Sequence, residues 1–551
     1  MQKDKKFYDN FYSVYPASVH NNPDRFLAVS NLLAGRVLDV GCGTGTLCDY
    51  TSLDYVGIDV SDVAIDKARS VRRKNARFFV ANFAKDAFVL KEKFDSVYLG
   101  EFLEHISDDS IVFSNLKDLI KDNARIVVSV PNGDRVPDES HCRTFTVASI
   151  RRDYSKYGKV RFHDWSGFHD RILFSIEFNH FEPDKIALVM ICKDEEMGIE
   201  KAIVSALPLV DKVVVSVDNA TTDKTKEIAE MYADELRTHT WQNDFSKARN
   251  EASENVRDLW VLFLDGHEYI ENFGKIQEKL KLDVDGIFVT IKMETGMTFM
   301  YPRIYRGHLK FKNAVHNLVE CNTKSAEPAF LIVHDRDNLQ SKEATERRNA
   351  QRNEMMPKEL QKQLKENPKN SRAHFHLANF YMMSSEIKLA LKHYKKTVKY
   401  SLSHDEVYMA YLQIGRIHMS LGHSIRALWN FKSADGLIPD RWESARVLGG
   451  FYLIEGNFEK AVVFLVDALK QNKRHYTYEP MTRNFAEIWD LIGHCFHNLN
   501  RIEEAKEAWE RALEVAETDA MKGMLKQKIN LISSLLPTHL TVQDLNEKGK
   551  V

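Results

Sequence analysis

The sequence predicts two consecutive doubly wound α/β domains followed by an all-α solenoid of helical repeats. Three observations carry this. Strand-length apolar runs alternate with helix-length segments over residues 1–180, the pattern restarts at Ile186, and from about residue 340 an internal repeat replaces the strands. Strands separated by crossover-length helical segments imply mostly parallel sheets.

In the first series the expected strands are 37–40, 55–58, 77–80, 96–99 and 125–130. In the second they are 186–192, 212–217, 260–264 and 286–292. Between the two lies a polar, proline-containing stretch, residues 179–184, read as the first domain boundary. In the repeat region Ala378, Gly415, Gly449 and Gly493 occupy a small-residue slot; Ser385, Gly422, Gly456 and Asn500 follow seven residues later. Ala390, Ala427, Ala461 and Ala505 come five residues after those, and the copies are spaced by 37, 34 and 44 residues. Small residues at fixed offsets let paired helices approach closely, and a period near 34 is that of tetratricopeptide repeats, which residues 371–515 resemble. The expected layout is 1–180 and 184–338 for the α/β domains, a helical linker 339–370, repeats 371–537 and a flexible tail 538–551.

Length and charge exclude some alternatives. With 551 residues, 44% hydrophobic and 28% charged, the chain has material for several cores. Its 77 Lys and Arg nearly balance 79 Asp and Glu, for a net charge of −2, so composition offers no argument for nucleic-acid binding. Six scattered cysteines lack metal-finger spacing and read as thiols of a reducing compartment. No apolar run follows the N-terminal lysines and none reaches membrane-spanning length, so a soluble, cytoplasmic protein is expected.

The first candidate site is the segment Arg36-Val37-Leu38-Asp39-Val40-Gly41-Cys42-Gly43-Thr44-Gly45, a strand opening into a glycine-rich turn. Glycines serve where the backbone turns tightly against a ligand. Asp59 ends the next strand, 18 residues after Gly41, where a carboxylate can accept both ribose hydroxyls of an adenosine. The GxGxG spacing, Asn82-Phe83 after the third strand, Glu101-Phe102-Leu103-Glu104-His105 after the fourth and Val128-Ser129-Val130-Pro131-Asn132 resemble class I S-adenosylmethionine-dependent methyltransferases over about residues 7–176. The resemblance implies a cofactor site of Asp39, Gly41, Gly43, Gly45, Asp59, Asn82 and Phe83, with Asp39 and the turn at the methionine part. His105 is the candidate base for an acceptor hydroxyl. Tyr8 and Tyr12 are candidates for a lid, or for packing residues of a first helix.

The second candidate site gathers four clusters at strand ends: Lys193-Asp194-Glu195-Glu196, Asp218 to Thr225, Asp244 to Asn250, and Asp265-Gly266-His267-Glu268. Ligands in open α/β sheets bind at the carboxyl edge, so the clusters can converge. Carboxylate and imidazole can hold a divalent cation at a diphosphate leaving group, and Arg249 can contact phosphate through its planar fork. The segments KDEE, DNATTDKT, FSKARN and DGHE, with Pro302-Arg303-Ile304-Tyr305-Arg306 and Ala314-Val315-His316-Asn317, resemble family 2 glycosyltransferases of GT-A fold. The likeness is to the branch with C-terminal tetratricopeptide repeats that includes peptide S-glycosyltransferases. It implies donor contacts from Lys193, Glu195, Asp218, Asp223, Arg249 and Asp265, and Mn2+ or Mg2+ ligation by Asp265, His267 and His316. Glu268 is the candidate general base. His267 stands where the branch has a second aspartate, and Asn317 where it has glutamate.

The expected function is therefore bifunctional: inverting, metal-dependent sugar transfer from a nucleotide-sugar to a glycan or glycoconjugate, and S-adenosylmethionine-dependent O-methylation of the same glycan. The alternatives are a glycosyltransferase acting on a polypeptide held by the repeats, and a repeat scaffold with a decayed catalytic domain. The repeats also offer a surface for self-association.

Overall fold

The computed structural model describes residues 3–14, 22–71, 73–85, 90–163, 169–180, 185–274, 276–294, 298–319, 321–325, 327–439, 441–470, 484–516 and 518–533. Part of the expected boundary (181–184) and the expected tail (538–551) lie outside them.

The first sheet comprises β1 (Arg36–Val40), β2 (Asp54–Asp59), β3 (Ala76–Val80), β4 (Phe94–Gly100), β5 (Ile120–Pro131), β6 (Gly158–Phe162) and β7 (Arg171–Phe178), ordered β3-β2-β1-β4-β5-β7-β6. The first five strands pair in parallel and contain the five expected ones. Val37, Leu38, Tyr55, Val56, Val97 and Val127 are fully buried, as a sheet covered on both faces requires. β7 runs antiparallel to both β5 and β6, a closing pair that a strand–helix–strand template has no place for.

The second sheet restarts with β8 (Ile186–Cys192), β9 (Lys212–Asp218), β10 (Glu235–His239), β11 (Trp260–Phe263), β12 (Glu268–Asn272), β13 (Gly286–Lys292) and β14 (Thr298–Arg306). β15 (Phe311–Lys312) and β16 (Leu318–Val319) form a separate ribbon, and β17 (Leu331–His334) completes the order β10-β9-β8-β11-β14-β13-β17-β12. β8 is parallel to both β9 and β11, which aligns their carboxyl ends.

Residues 1–289, 302–312 and 317–345 form one compact unit, and residues 290–301, 313–316 and 346–551 another. Within the first unit the two α/β regions meet through paired polar groups. Arg151, 8% exposed, donates to Asp234 Oδ2 at 2.5 Å and to the Val210 carbonyl at 2.9 Å. Asn132 Nδ2 donates to the Tyr232 hydroxyl at 3.0 Å, which donates to Glu200 Oε1 at 2.5 Å. Pairing both partners avoids the penalty of a lone buried charge.

The second unit contains the expected helical hairpins. Ser371–Met383 pairs with Ile387–Tyr400, His404–Ser420 with Ser424–Leu437, Trp442–Ile454 with Phe458–Lys470, and Phe485–Asn498 with Ile502–Glu514. Helix Asp519–Ser533 follows. The residues counted as turns all adopt left-handed backbone, with φ of 61° at Ser385, 72° at Gly422, 74° at Gly456 and 59° at Asn500, the usual helix-terminating conformation. The small slots are contact points. A Cβ at Gly415 would lie 2.4 Å from Phe431, at Gly449 2.6 Å from Leu465, and at Gly493 2.5 Å from the Trp509 indole. The expected linker is mostly helix Lys342–Glu366, whose Leu360 is buried with Val315, Ala373 and Leu377.

This packing makes a signed prediction. Gly415→Ala should lower the urea midpoint of helical unfolding by the equivalent of about 1–3 kcal/mol, because the added methyl overpacks Phe431. Gly436→Ala should raise it by about 0.5–1 kcal/mol, since that helical position has nothing within 4 Å of an added Cβ. Far-UV circular dichroism reads both. Equal shifts would refute the assignment of Gly415 to a close helix contact.

Candidate active sites

A cavity of about 490 Å³ opens at the carboxyl edge of the first sheet, lined by Asp39, Gly41, Gly43, Asp59, Asn82, Phe83 and His105 among others. It lies where strand order reverses between β1 and β4, the place an open α/β sheet offers a ligand. Gly41 and Gly43 have φ of 78° and 55°. A Cβ at either would fall 2.8 Å from Phe102 or from the Tyr12 hydroxyl, so both positions need glycine on two counts. Gly45 is a correction: it packs against Phe78 beneath the turn and is not among the lining residues, so it shapes the loop without touching the cavity.

Asp59 is fixed by the turn it faces. Its Oδ2 accepts from the Gly43 amide and its Oδ1 from the Ser61 amide, both at 2.9 Å. Asp39 is 3% exposed and accepts a hydrogen bond from the Tyr55 hydroxyl. Burial, opposed by that bond, pushes the Asp39 carboxyl up to about 7. Both tyrosines of helix Lys5–Val14, Tyr8 and Tyr12, line the cavity. The helix is tied down by Ser61 Oγ donating to Asp9 at 2.6 Å and by a Lys5–Asp62 ion pair.

His105 Nδ1 lies 3.2 Å from the Ser140 carbonyl. A carbonyl only accepts, so the proton sits on Nδ1 and the Nε2 lone pair is left over. Burial pushes the imidazole below its ordinary range, which keeps it neutral. Glu101, Asp138 and Ser140 also line the cavity. The sequence signal for the acids was present in the Glu101–His105 segment, but nothing in the spacing brings residues 138–141 to it.

At the second sheet, Lys193 Nζ lies 3.7 Å from the buried Asp218 carboxylate, joining the ends of β8 and β9. Arg249 donates to Asp265 Oδ1 and Asn317 Oδ1, both at 3.0 Å, with its guanidinium 4.1 Å above the Phe263 ring. Burial alone would raise the Asp265 carboxyl, but Arg249 and Arg303 hold it well below the usual carboxylate range. Lys193, Asp218, Arg249 and Asp265 thus occupy strand ends and the adjoining helix as expected.

Other expected site residues are spent on structure. Asp223 accepts from the Thr225 and Glu196 amides at 2.9 and 3.0 Å, bracing its own loop. Glu195 is 4% exposed, with one oxygen 2.7 Å from Gln340 Nε2 and the other 3.3 Å from His267 Nδ1. His267 is 3% exposed, and its Nε2 faces Arg336 at 3.4 Å, so both ring nitrogens are engaged. Glu268 is fully buried, accepting from the Asp265 amide at 3.0 Å and from Arg303 at 2.5 Å, with His334 Nδ1 at 3.2 Å. A base so occupied cannot reach a substrate proton; Glu268 and His267 brace the turn that presents Asp265. His316 belongs to the second unit, its ring stacked on His376 at 3.4 Å. Burial, with Arg352 and Arg372 nearby, pushes its imidazole down to about 3.

The fold comprises two α/β domains, one with a cavity and one with a polar cluster at its strand ends, and a helical repeat region. Residues 15–175 match the methyltransferase domain family, residues 187–339 match glycosyl transferase family 2, and residues 486–519 match a tetratricopeptide repeat. The chain therefore carries a methyltransferase domain, a family 2 glycosyltransferase domain and a tetratricopeptide repeat, in that order. It is 24% identical over 237 residues to a TPR repeat-containing protein of Synechococcus elongatus, covering 39% of this chain and 57% of that one. It is 30% identical over 145 residues to a ubiquinone biosynthesis O-methyltransferase of Rhodopseudomonas palustris, covering 25% of this chain and 54% of the relative. The chain spans about half the length of these curated relatives. Among solved structures, a DhpI–SAH complex shares 14% identity at a TM-score of 0.27, covering 32% of this chain and 95% of that one. No described helix is long and apolar enough to cross a membrane.

Proposed function

We propose that the first domain methylates a hydroxyl using S-adenosylmethionine and that the second transfers a sugar, with inversion, from a nucleotide-sugar donor to the same glycan or glycoconjugate. The observation that carries the first half is the cavity in which Asp39, the glycine turn and Asp59 converge with His105. The residues fit the cofactor: a glycine cradle, a carboxylate pre-aimed for a diol, and a buried carboxylate suited to an ammonium. S-adenosylmethionine supplies an electrophilic methyl group on a sulfonium. Asp59 accepts the ribose hydroxyls, Asn82 and Phe83 bound the base, and Asp39 faces the amino group. Neutral His105 offers its Nε2 lone pair to the acceptor hydroxyl, directly or through a bound ion. Tyr8 and Tyr12 narrow the mouth and limit water.

For the second half, Asp218 and Lys193 receive the nucleoside end, and Arg249 meets diphosphate charge through its fork. A cation held by Asp265 and His267 together does not fit, because both nitrogens of His267 are engaged inside the domain. Asp265 would then hold a divalent cation at the leaving diphosphate by its carboxylate alone, where the ion would supply Lewis-acid stabilisation. Six cysteines carried as thiols suit a reducing, cytoplasmic setting. The test is double labelling: methyl-labelled S-adenosylmethionine and sugar-labelled donor should mark one product, and separate products would refute the shared acceptor.

A second reading takes a polypeptide as acceptor. It is favoured by the repeat region, where Trp429, 61% exposed, lies against Tyr411 at 5.8 Å. Labelling of a peptide library, with no labelling of glycans, would select it.

The Asp39 environment sets a pH dependence. The carboxyl, raised to about 7, must ionise to face an ammonium. Affinity for S-adenosylhomocysteine should be level above about pH 8 and weaken by about tenfold per unit well below pH 7. Titration calorimetry should find this slope abolished in Asp39→Asn.

A further inference from the structure

One cluster beside the methyl-transfer cavity is unexplained by packing. Glu104 is 1% exposed, and among the described residues neither of its carboxylate oxygens has a hydrogen-bond partner. Buried carboxylates ordinarily collect donors, so such a group is costly unless something else is meant to face it. The nearby Arg25 and Arg171 pair with Glu101 at 3.1 and 2.9 Å, and their charges partly offset the cost of burying Glu104. Two imidazoles also lie beside Glu104. One ligand atom each from Glu104, His105 and His141 lie within 4.8 Å of one another, a span that one ion can bridge with small side-chain rotations.

The backbone builds this arrangement. The Cys142 amide donates to the Glu104 carbonyl at 2.8 Å, and the His141 amide donates to the Asp138 carbonyl at 3.1 Å. These bonds pin the 138–142 loop against the Glu104 turn and bring the His141 ring 5.2 Å from the His105 ring. His105 also has the orientation of a metal-binding imidazole. Its Nδ1–H is held by the Ser140 carbonyl, the usual arrangement that fixes the tautomer and presents Nε2 to an ion.

We propose that Glu104, His105 and His141 bind a divalent first-row metal ion that holds the methyl acceptor through two neighbouring hydroxyls of a sugar ring. The inference rests on the methyl-transfer reading and deepens it. Two imidazoles and one carboxylate leave open coordination positions, and His105 and the cavity mouth adjoin them. A hydroxyl on the ion is acidified and positioned. Its proton leaves to solvent base, its oxygen lone pair forms the new C–O bond, and the C–S pair returns to sulfur, leaving a thioether. In this arrangement His105 acts as a ligand, and proton acceptance passes to water.

The experiment uses the full chain, stripped with chelator and titrated with Mn2+ (followed by electron paramagnetic resonance) and with Co2+ (followed by visible absorption). Wild-type protein should bind one ion per chain without any nucleotide. Glu104→Gln and His141→Ala should each weaken binding by about tenfold or more. Thermal melting confirms folding; should His141→Ala fail to fold, Glu104→Gln and His141→Gln decide. Ion binding unchanged in folded variants of both residues would overturn the proposal. So would a signal lost in Asp265→Asn but kept in His141→Ala, which assigns the ion to the second domain. S-adenosylhomocysteine binding is measured on the wild type in parallel. S-adenosylhomocysteine binding without metal binding sinks the metal site alone, whereas absence of both sinks the methyl-transfer reading beneath it.

Discussion

Asp265→Asn is expected to reduce sugar-donor turnover by about 10²–10³-fold, with methyl transfer unaffected. The carboxylate is the half-buried tip of a braced assembly: Arg249 holds Oδ1 at 3.0 Å, and the Asp265 amide is anchored on Glu268 at 3.0 Å. An asparagine keeps the shape but removes the charge that Arg249 pairs with, while Arg303 keeps Glu268, so one guanidinium is left uncompensated. The arginine fork would then turn toward whatever anion arrives, and donor binding should tighten or persist while turnover collapses. Donor hydrolysis with UDP-, GDP-, CMP- and dTDP-sugars, each with and without Mn2+, measures this. Retained turnover in a folded Asp265→Asn protein would remove Asp265 from the reaction. Glu268→Gln should act differently, lowering the melting temperature as well as turnover, because it disturbs the buried contacts to Arg303 and His334.

The contrast between Asp265 and its neighbours explains what was legible in the sequence. Strand ends and glycine turns were readable because they obey local rules: an apolar run, then residues whose backbone must bend. The repeat register was readable for the same reason, since Ser385, Gly422, Gly456 and Asn500 each have to adopt left-handed backbone where a helix stops. β10 was not readable, because Glu-Leu-Arg-Thr-His at a sheet edge is half exposed and has no apolar run. The side-chain roles in Asp-Gly-His-Glu are not legible in the sequence for a different reason. Sequence order placed His267 and Glu268 next to Asp265, but direction is set by partners 35 to 72 residues away, such as Arg303 for Glu268 and Glu195 for His267. Polar residues in a motif can serve the ligand or serve the turn, and only the long-range bonds decide which. The cluster of Glu104, His105 and His141 shows the reverse case, in which a loop with no motif of its own completes a group begun by one.

Asp59→Asn is expected to weaken S-adenosylhomocysteine binding by about 100-fold or more, the equivalent of about 2.7 kcal/mol. Both Asp59 oxygens accept from backbone amides, Gly43 on one side and Ser61 on the other. An asparagine must aim its NH2 at one of these amides, placing donor against donor in a site that is 7% exposed. Whichever way the amide flips, one bond is lost and one N–H group is stranded, at a cost of about 1–3 kcal/mol before any ligand arrives. If the flip breaks the Gly43 bond, the glycine turn loses the contact that presents it to the cavity. If it breaks the Ser61 bond, the support of Ser61 Oγ, which holds helix Lys5–Val14 through Asp9, is disturbed as well. Calorimetry on the full chain separates these, since the first outcome lowers affinity alone and the second also exposes Tyr8 and Tyr12 to quenchers. Sugar-donor turnover in the same variant should match wild type, because among the described residues no hydrogen bond links Asp59 to the second sheet. A folded Asp59→Asn protein that binds S-adenosylhomocysteine at wild-type affinity would mean that the cavity recognises something other than an adenosine.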